Sequence, residues 1–142
     1  MKRLSLLFFA AILLINTSCK KENKDSSPAG LEGVWELRSI TAMLSSTYPP
    51  GNGHIISFTN NKYEIRDNGQ ITRSGEFQII EDLTAAESTC LNIAPGKYTS
   101  RIIYDNNISG TKAFLEISGN ILTIVSGCFA IDAGSSSAYE RH

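Results

Sequence analysis

The sequence lacks a basic patch, a catalytic signature and an apolar run long enough to cross a bilayer. Beyond Lys20-Lys21 next to Cys19, its Lys and Arg residues are scattered among the acids. Binding phosphates requires a basic face, so no nucleic-acid partner is expected. The longest apolar stretch is residues 4–15, interrupted only by Ser5, and a spanning helix needs roughly 20 such residues. His54 and His142 are the two histidines, and they offer no metal-ligand spacing with the three cysteines. No metal and no cofactor is therefore expected. There is no Gly-x-Ser-x-Gly elbow, and the glycine-rich loop before His54 lacks the following helix that phosphate-binding loops need. His54 follows that loop, the nearby Ser45, Ser46 and Ser57 read as ordinary turn residues and not as a nucleophile beside it, and Glu64, Glu76 and Glu116 read as a solvated strand face. The chain is not expected to be an enzyme.

What is present fits a single globular domain. Hydrophobic residues make up 42% of the 142 residues and charged ones 19%, enough apolar surface to offset the entropy of ordering. The start is different in kind. Lys2 and Arg3 precede the apolar stretch, which has the length of a signal-peptide core. It ends at Asn16-Thr17-Ser18-Cys19, small residues before a cysteine that resemble a lipobox, with Asn16 where Leu is usual. That resemblance implies a signal peptide over residues 1–18, a diacylglycerol and palmitate anchor on Cys19, and a charged, Ser- and Pro-containing tether over residues 19–30. The alternative is an ordinary secretory signal with Cys19 incidental. Removing Lys2 and Arg3 leaves eleven basic against fourteen acidic residues. Two or more acyl chains hold a protein stably on a membrane, each buried methylene contributing about 0.8 kcal/mol. The whole start resembles lipoproteins of Bacteroidota, which implies lipid anchoring in the cell envelope at the outer membrane, on either its periplasmic or its surface face.

Residues 31–142 read as strands. Trp35, Leu37 and Ser39 alternate with Glu36 and Arg38, the period of a half-buried strand. Ile56 and Phe58 form the next inward pair, and Asn60-Asn61 turns into Lys62-Tyr63-Glu64-Ile65-Arg66. Asp67-Asn68-Gly69 is a hairpin turn, because Asn and Gly accept the positive φ it demands. It leads into residues 70–80, with Phe77 and Ile79 inward. Residues 84–89 suit a short helix, and residues 90–93 suit a strand. Further strands are expected over 100–104, 112–118, 121–126, 128–131 and 136–141. Eight to ten short antiparallel strands imply an all-β, up-and-down barrel or a sandwich.

Leu31-Glu32-Gly33-Val34-Trp35-Glu36-Leu37 resembles the Gly-x-Trp motif that opens the first strand of lipocalins and lipocalin-like bacterial lipoproteins. The resemblance implies an antiparallel barrel plugged at one end by Trp35, with Gly33 beside it and Arg141 of the last strand packed across the indole. It also makes residues 41–53 a large first loop over the barrel mouth. The domain is shorter than most lipocalins, so side chains alone can fill its interior.

Cys90 and Cys128 remain once Cys19 is committed to lipid. In an oxidising compartment they read as a disulfide, and otherwise as two buried thiols. Met43, Leu44 and Tyr48 are apolar residues on a loop and read as a lid or contact surface, or as a cap on the core. Two functions follow. The domain binds a small hydrophobic ligand, with Tyr63, Ile65, Phe77 and Leu115 as pocket walls and Met43, Leu44 and Tyr48 at the rim. Alternatively it is a structural or protein-interaction module, a filled barrel docking an envelope protein. A cavity above about 300 Å³ favours the first.

Overall fold

The expected alternation becomes nine strands in the computed structural model, which describes residues 28–142. The signal peptide, Cys19 and most of the tether lie outside the described residues. The strands are β1 (Gly33–Thr41), β2 (Ser46–Thr47), β3 (His54–Thr59), β4 (Lys62–Asp67), β5 (Gln70–Glu81), β6 (Ser100–Tyr104), β7 (Ala113–Ser118), β8 (Ile121–Ser126) and β9 (Ser135–Arg141). All pairings are antiparallel. β1 and β3 through β9 follow one another around the sheet, and β9 returns to pair with β1. Eight strands thus close into a barrel, while β2 is an extra short strand on the far half of β1. Closure leaves those eight strands without a free edge. The all-β, up-and-down, lipocalin-like architecture is the one the sequence predicts.

The turns form where the chain tolerates a left-handed backbone. Asn68 and Gly69 both have positive φ (50° and 82°) between β4 and β5, as a two-residue hairpin requires. Two expected strands are absent. A helix α1 (Ala85–Thr89) ends at Cys90, whose φ of 57° turns the chain out of any ladder, so residues 90–93 form no strand. Residues 128–131 are also not a strand. Gly127 and Asp132 are both left-handed, and the bend between them is a 3-10 turn over Phe129–Ile131.

Inward positions pack into one core: Leu31, Trp35, Ile56, Phe58, Tyr63, Phe77, Ile79, Ile102, Leu115 and Leu122. A second, smaller cluster lies on the outer face of β7 and β8. There Phe114 and Val125 are covered by Ala85, Ile93 and Tyr98 of the long β5–β6 connection. The Cys90–Cys128 disulfide ties that connection to the β8–β9 bend. Asp82 anchors its start, 2.9 Å from Lys112 and 3.8 Å from the buried Arg101 guanidinium.

The segment after β1 folds back onto that strand. It pairs through β2, and Tyr48 N–H donates to Arg38 C=O at 2.8 Å, folding the segment back along the outside of β1. The reason is Glu36. It faces outward yet is only 2% exposed, and a buried carboxylate needs donors. Arg38 supplies one at 2.7 Å, and the amides of Gly51 and Gly53 supply two more at 3.1 and 3.3 Å.

These contacts have a pH signature. The Arg38 guanidinium first, then the Gly51 amide, holds Glu36 down to about 2 from its ordinary 4.5 against the opposing effect of burial. Burial is the largest influence on Asp82 and raises it, but the Thr84 hydroxyl, Lys112 and the Thr84 amide together outweigh it and leave the group at about 2. Both carboxyls are depressed in the folded state, so their stabilisation is complete above the unfolded values and disappears as pH falls toward the folded ones. Urea midpoints are expected to hold steady above about pH 4.5 and to fall between there and about pH 2. Glu36→Gln should lower the plateau and flatten the acid limb. An unchanged acid limb in that variant would show that the Glu36 contacts are not linked to folding.

Candidate functional site

An up-and-down barrel sorts its connections to two ends. The chain entry, the β3–β4 and β7–β8 turns, the root of the long β5–β6 connection and the carboxy terminus share one end. The β1–β3, β4–β5, β6–β7 and β8–β9 connections share the other.

The first end is sealed. Trp35 is 0% exposed, and its indole N–H donates to Leu31 C=O at 2.8 Å. The Arg141 guanidinium lies 4.1 Å from the indole centroid and donates to the carbonyls of Glu32 and Gly30. This geometry explains the glycine of the Gly-x-Trp motif. Gly33 has a φ of 130°, and a Cβ there would stand 2.7 Å from Arg141 Nη1. A larger residue would push the guanidinium off the plug.

Above the plug the interior is filled. Tyr63, Phe77 and Leu115, expected as pocket walls, are buried core residues, with the Phe77 ring edge-on to Phe58 at 5.1 Å. Higher up, Arg73 turns inward beside Tyr63 and Tyr104, its guanidinium 5.5 and 5.6 Å from their ring centroids. Asp105 holds it there, 2.8 Å from Arg73 Nη2, and accepts the Tyr63 hydroxyl at 2.8 Å. Gly75 makes room, since a Cβ there would collide with Asp105. Burial pushes the phenols of Tyr104, Tyr139 and Tyr63 up from their ordinary value, so all three stay neutral.

That ion pair stands on the β5 and β6 side of the open end, beside a hollow of about 160 Å³ bordered by Arg73, Tyr104 and Asn107, and a pit lies between β1, β3, β4 and β9. The pit has a volume of about 270 Å³, and its apolar lining comes from Leu37 of β1, Ile55 and Ile56 of β3, Ile65 of β4 and Tyr139 of β9. His54, Arg66, Asp67 and Thr72 supply its polar rim. A hollow on the outer face of β3 and β4 is larger, about 380 Å³, but its lining is Ser57, Thr59, Asn60, Asn61, Lys62 and Glu64. Water already satisfies such a surface, so displacing it gains little. An apolar floor with a few convergent polar groups is what small-molecule sites have, and the pit has both.

Of the expected pocket residues, Ile65 alone lines this pit. Met43 and Leu44 stand 74% and 80% exposed on the β1–β2 connection. Tyr48 lies edge-on to His54, ring centroids 5.2 Å apart. His54, which follows the glycine-rich loop, is the first residue of β3. It is paired with Asp67, and His54 Nδ1 lies 3.2 Å from Asp67 Oδ1. The available signal was the length of β3 and β4: extending each by one or two residues toward the other's turn brings the two together. Among the described residues there is no group of three or more His, Cys, Asp or Glu placed to hold a metal ion. Comparison of the chain with protein-family models, curated proteins and solved structures gave no match.

Proposed function

We propose that the chain is a lipocalin-like lipoprotein of the cell envelope, anchored through Cys19, whose barrel holds a small apolar molecule in the pit at its open end. The observation that carries the reading is the pit itself, an apolar floor of Leu37, Ile56, Ile65 and Tyr139 beside the packed core. Its volume of about 270 Å³ falls just under the range of about 300–1,000 Å³ typical of drug-sized ligands. The ligand on this reading is a single ring or a short branched chain, and a long acyl chain has no room. The described chain enters at the sealed end, where Leu31 N–H donates to Pro28 C=O and Arg141 binds Gly30 and Glu32. A lipid on Cys19 would therefore hold the sealed end toward the bilayer and turn the pit away from it.

The test has two arms. Growth on labelled palmitate should mark the protein, and Cys19→Ala should remove the label. Titration of the purified protein with toluene should shift the methyl resonances of Ile56 and Ile65 saturably, and Ile56→Trp, read at the Ile65 methyls, should abolish the shift by filling the floor. Absence of a saturable shift in the unaltered protein would overturn the ligand reading, and absence of label would overturn the anchor.

The second reading, a docking module for an envelope protein, draws on Met43, Leu44, Ile108 and Ile131. All four are exposed on open-end connections. In that case Ile56→Trp would leave function intact while Leu44→Glu with Ile131→Glu would remove it.

A further inference from the structure

The β6–β7 ladder ends early, at Ile102 opposite Ala113, while Ile103 and Tyr104 pair with β5 beyond it. Asp105 and Asn106, both left-handed, then swing the chain away from β7. The hollow of about 160 Å³ lies in this gap, where Asn107, Gly110 and Thr111 of the β6–β7 connection face the end of β6. Two arginines reach it from different strands. Arg73 is the one residue of β5 on its lining, so its side chain makes the approach, across the Tyr104 ring. Arg101 borders it from β6, and Arg101 Nη2 donates to Ile108 C=O at 2.6 Å, which holds that guanidinium against the connection next to Asn107.

Arg101 is 6% exposed, and a buried guanidinium needs both its donors and its charge matched. Here both are left short. Among the described residues its partners are the Ile108 carbonyl and Asp82, whose oxygen is 3.8 Å from Nη1 and so beyond hydrogen-bond range. Asp82 stands closer to Lys112, at 2.9 Å. Arg101 Nε is buried with no partner. Asp105 is taken up by Arg73 and the Tyr63 hydroxyl. Three cations thus share two carboxylates, and one positive charge is left over beside the hollow. Away from bulk water that charge acts more strongly than it would on an open surface.

We propose that this hollow binds a compact oxyanion, as inorganic phosphate or as the terminal phosphate of a small ester. Its volume equals that of about five water molecules at about 30 Å³ each, enough for one tetrahedral ion and too little for a chain or ring in addition. The Arg73 guanidinium, the Thr111 hydroxyl and the Asn107 amide are the donors on its lining. Gly110 makes room for that amide, since a Cβ there would stand 2.8 Å from Asn107 Nδ2. Arg101 supplies the buried charge behind them. An anion set there completes the neutralisation that Asp82 leaves unfinished. Arg73 alone would hold it weakly, because its side chain is 54% exposed and already paired.

The probes are inorganic phosphate and glycerol 3-phosphate, titrated into the purified protein at fixed ionic strength while the amide resonances of Ile103, Asn107, Gly110 and Thr111 are followed. Inorganic phosphate should shift them saturably, and sodium chloride should not. Arg101→Met removes the charge and keeps an unbranched side chain, and it should weaken binding at least about 10-fold, the equivalent of one bond to a charged group. Thr111→Glu alters an exposed residue, so the fold stands even where the Arg101 variant fails to fold. It sets a carboxylate on the lining and should abolish the shifts. Equal binding of the two probes would support recognition of a terminal phosphate, and binding of the inorganic ion alone would support a free ion. No saturable shift with either probe would overturn the proposal. So would shifts that persist in Thr111→Glu, or full affinity in a folded Arg101→Met protein.

Discussion

Trp35→Ala is expected to destabilise the fold by about 3–5 kcal/mol, the range for emptying a large aromatic site in a packed core. Domains of this size are stable by only about 5–15 kcal/mol, so the variant should be barely folded at room temperature. The effect is large because Trp35 joins three structures at once. Its ring fills the sealed end beneath Leu31 and Leu122, its N–H bonds the entering chain at Leu31, and its face carries Arg141 from β9. Losing it therefore weakens the β1–β9 seam that closes the barrel as well as leaving a hole. Arg141→Met isolates the cation–π contribution, on the order of 1 kcal/mol, and should be much milder. The measurement is urea unfolding followed by far-UV circular dichroism, since the substitution removes the chain's single Trp. A loss under about 1 kcal/mol would mean that Trp35 is not the plug described here.

The second large effect is expected from the disulfide. Cys90 and Cys128 are separated by 38 residues in sequence, and opening a loop of that length removes roughly 3–4 kcal/mol on chain-entropy estimates. The structure adds a local consequence to this global one. The bridge pins the β5–β6 connection, whose Ala85, Ile93 and Tyr98 cover Phe114 and Val125 on the outside of the barrel. In the Cys90→Ser, Cys128→Ser variant that cover has lost its far attachment and keeps the Asp82 and Thr84 contacts with Lys112 and Arg101 at its root and the Tyr98 N–H bond to Glu116 at its end. Hydrogen exchange across residues 82–99 should accelerate more than exchange in the β3–β4 hairpin. Uniform acceleration in both regions would show that the bridge acts on the unfolded chain alone.

The parts of the fold legible in the sequence were those set by local geometry. Ile56 with Phe58, Tyr63 with Ile65, and Phe77 with Ile79 alternate as a strand with one buried face requires, and every one of these pairs points inward. Asn68-Gly69 reverses the chain where its backbone tolerance predicts. The misreadings fell where a distant partner decides. Residues 128–131 look like an apolar strand, but two left-handed positions flank them and the bridged Cys128 leads the bend. The segment after β1 looks like an untethered loop, but outward-facing Glu36 draws Gly51 and Gly53 onto β1. Nothing in the local pattern of Glu36 distinguishes it from an ordinary solvated carboxylate.

The candidate site shows the same division. That Ile65 faces the interior follows from period two, a property of the chain with its nearest neighbours. Whether that interior holds a cavity does not, because barrel volume depends on how eight strands are tilted and staggered around an axis. Here the stagger brings Tyr63, Phe77 and Leu115 together as a solid core and leaves the open space higher, against Leu37, Ile56 and Tyr139. By itself the sequence determined the strand order, the two faces of each strand, and a glycine and a tryptophan suited to seal one end. Tertiary structure alone decided that Arg73 and Asp105 pair on one side of the mouth while His54 and Asp67 border the other. Alternation is written in consecutive residues, whereas those meetings depend on the register between strands and on the closure of β9 onto β1.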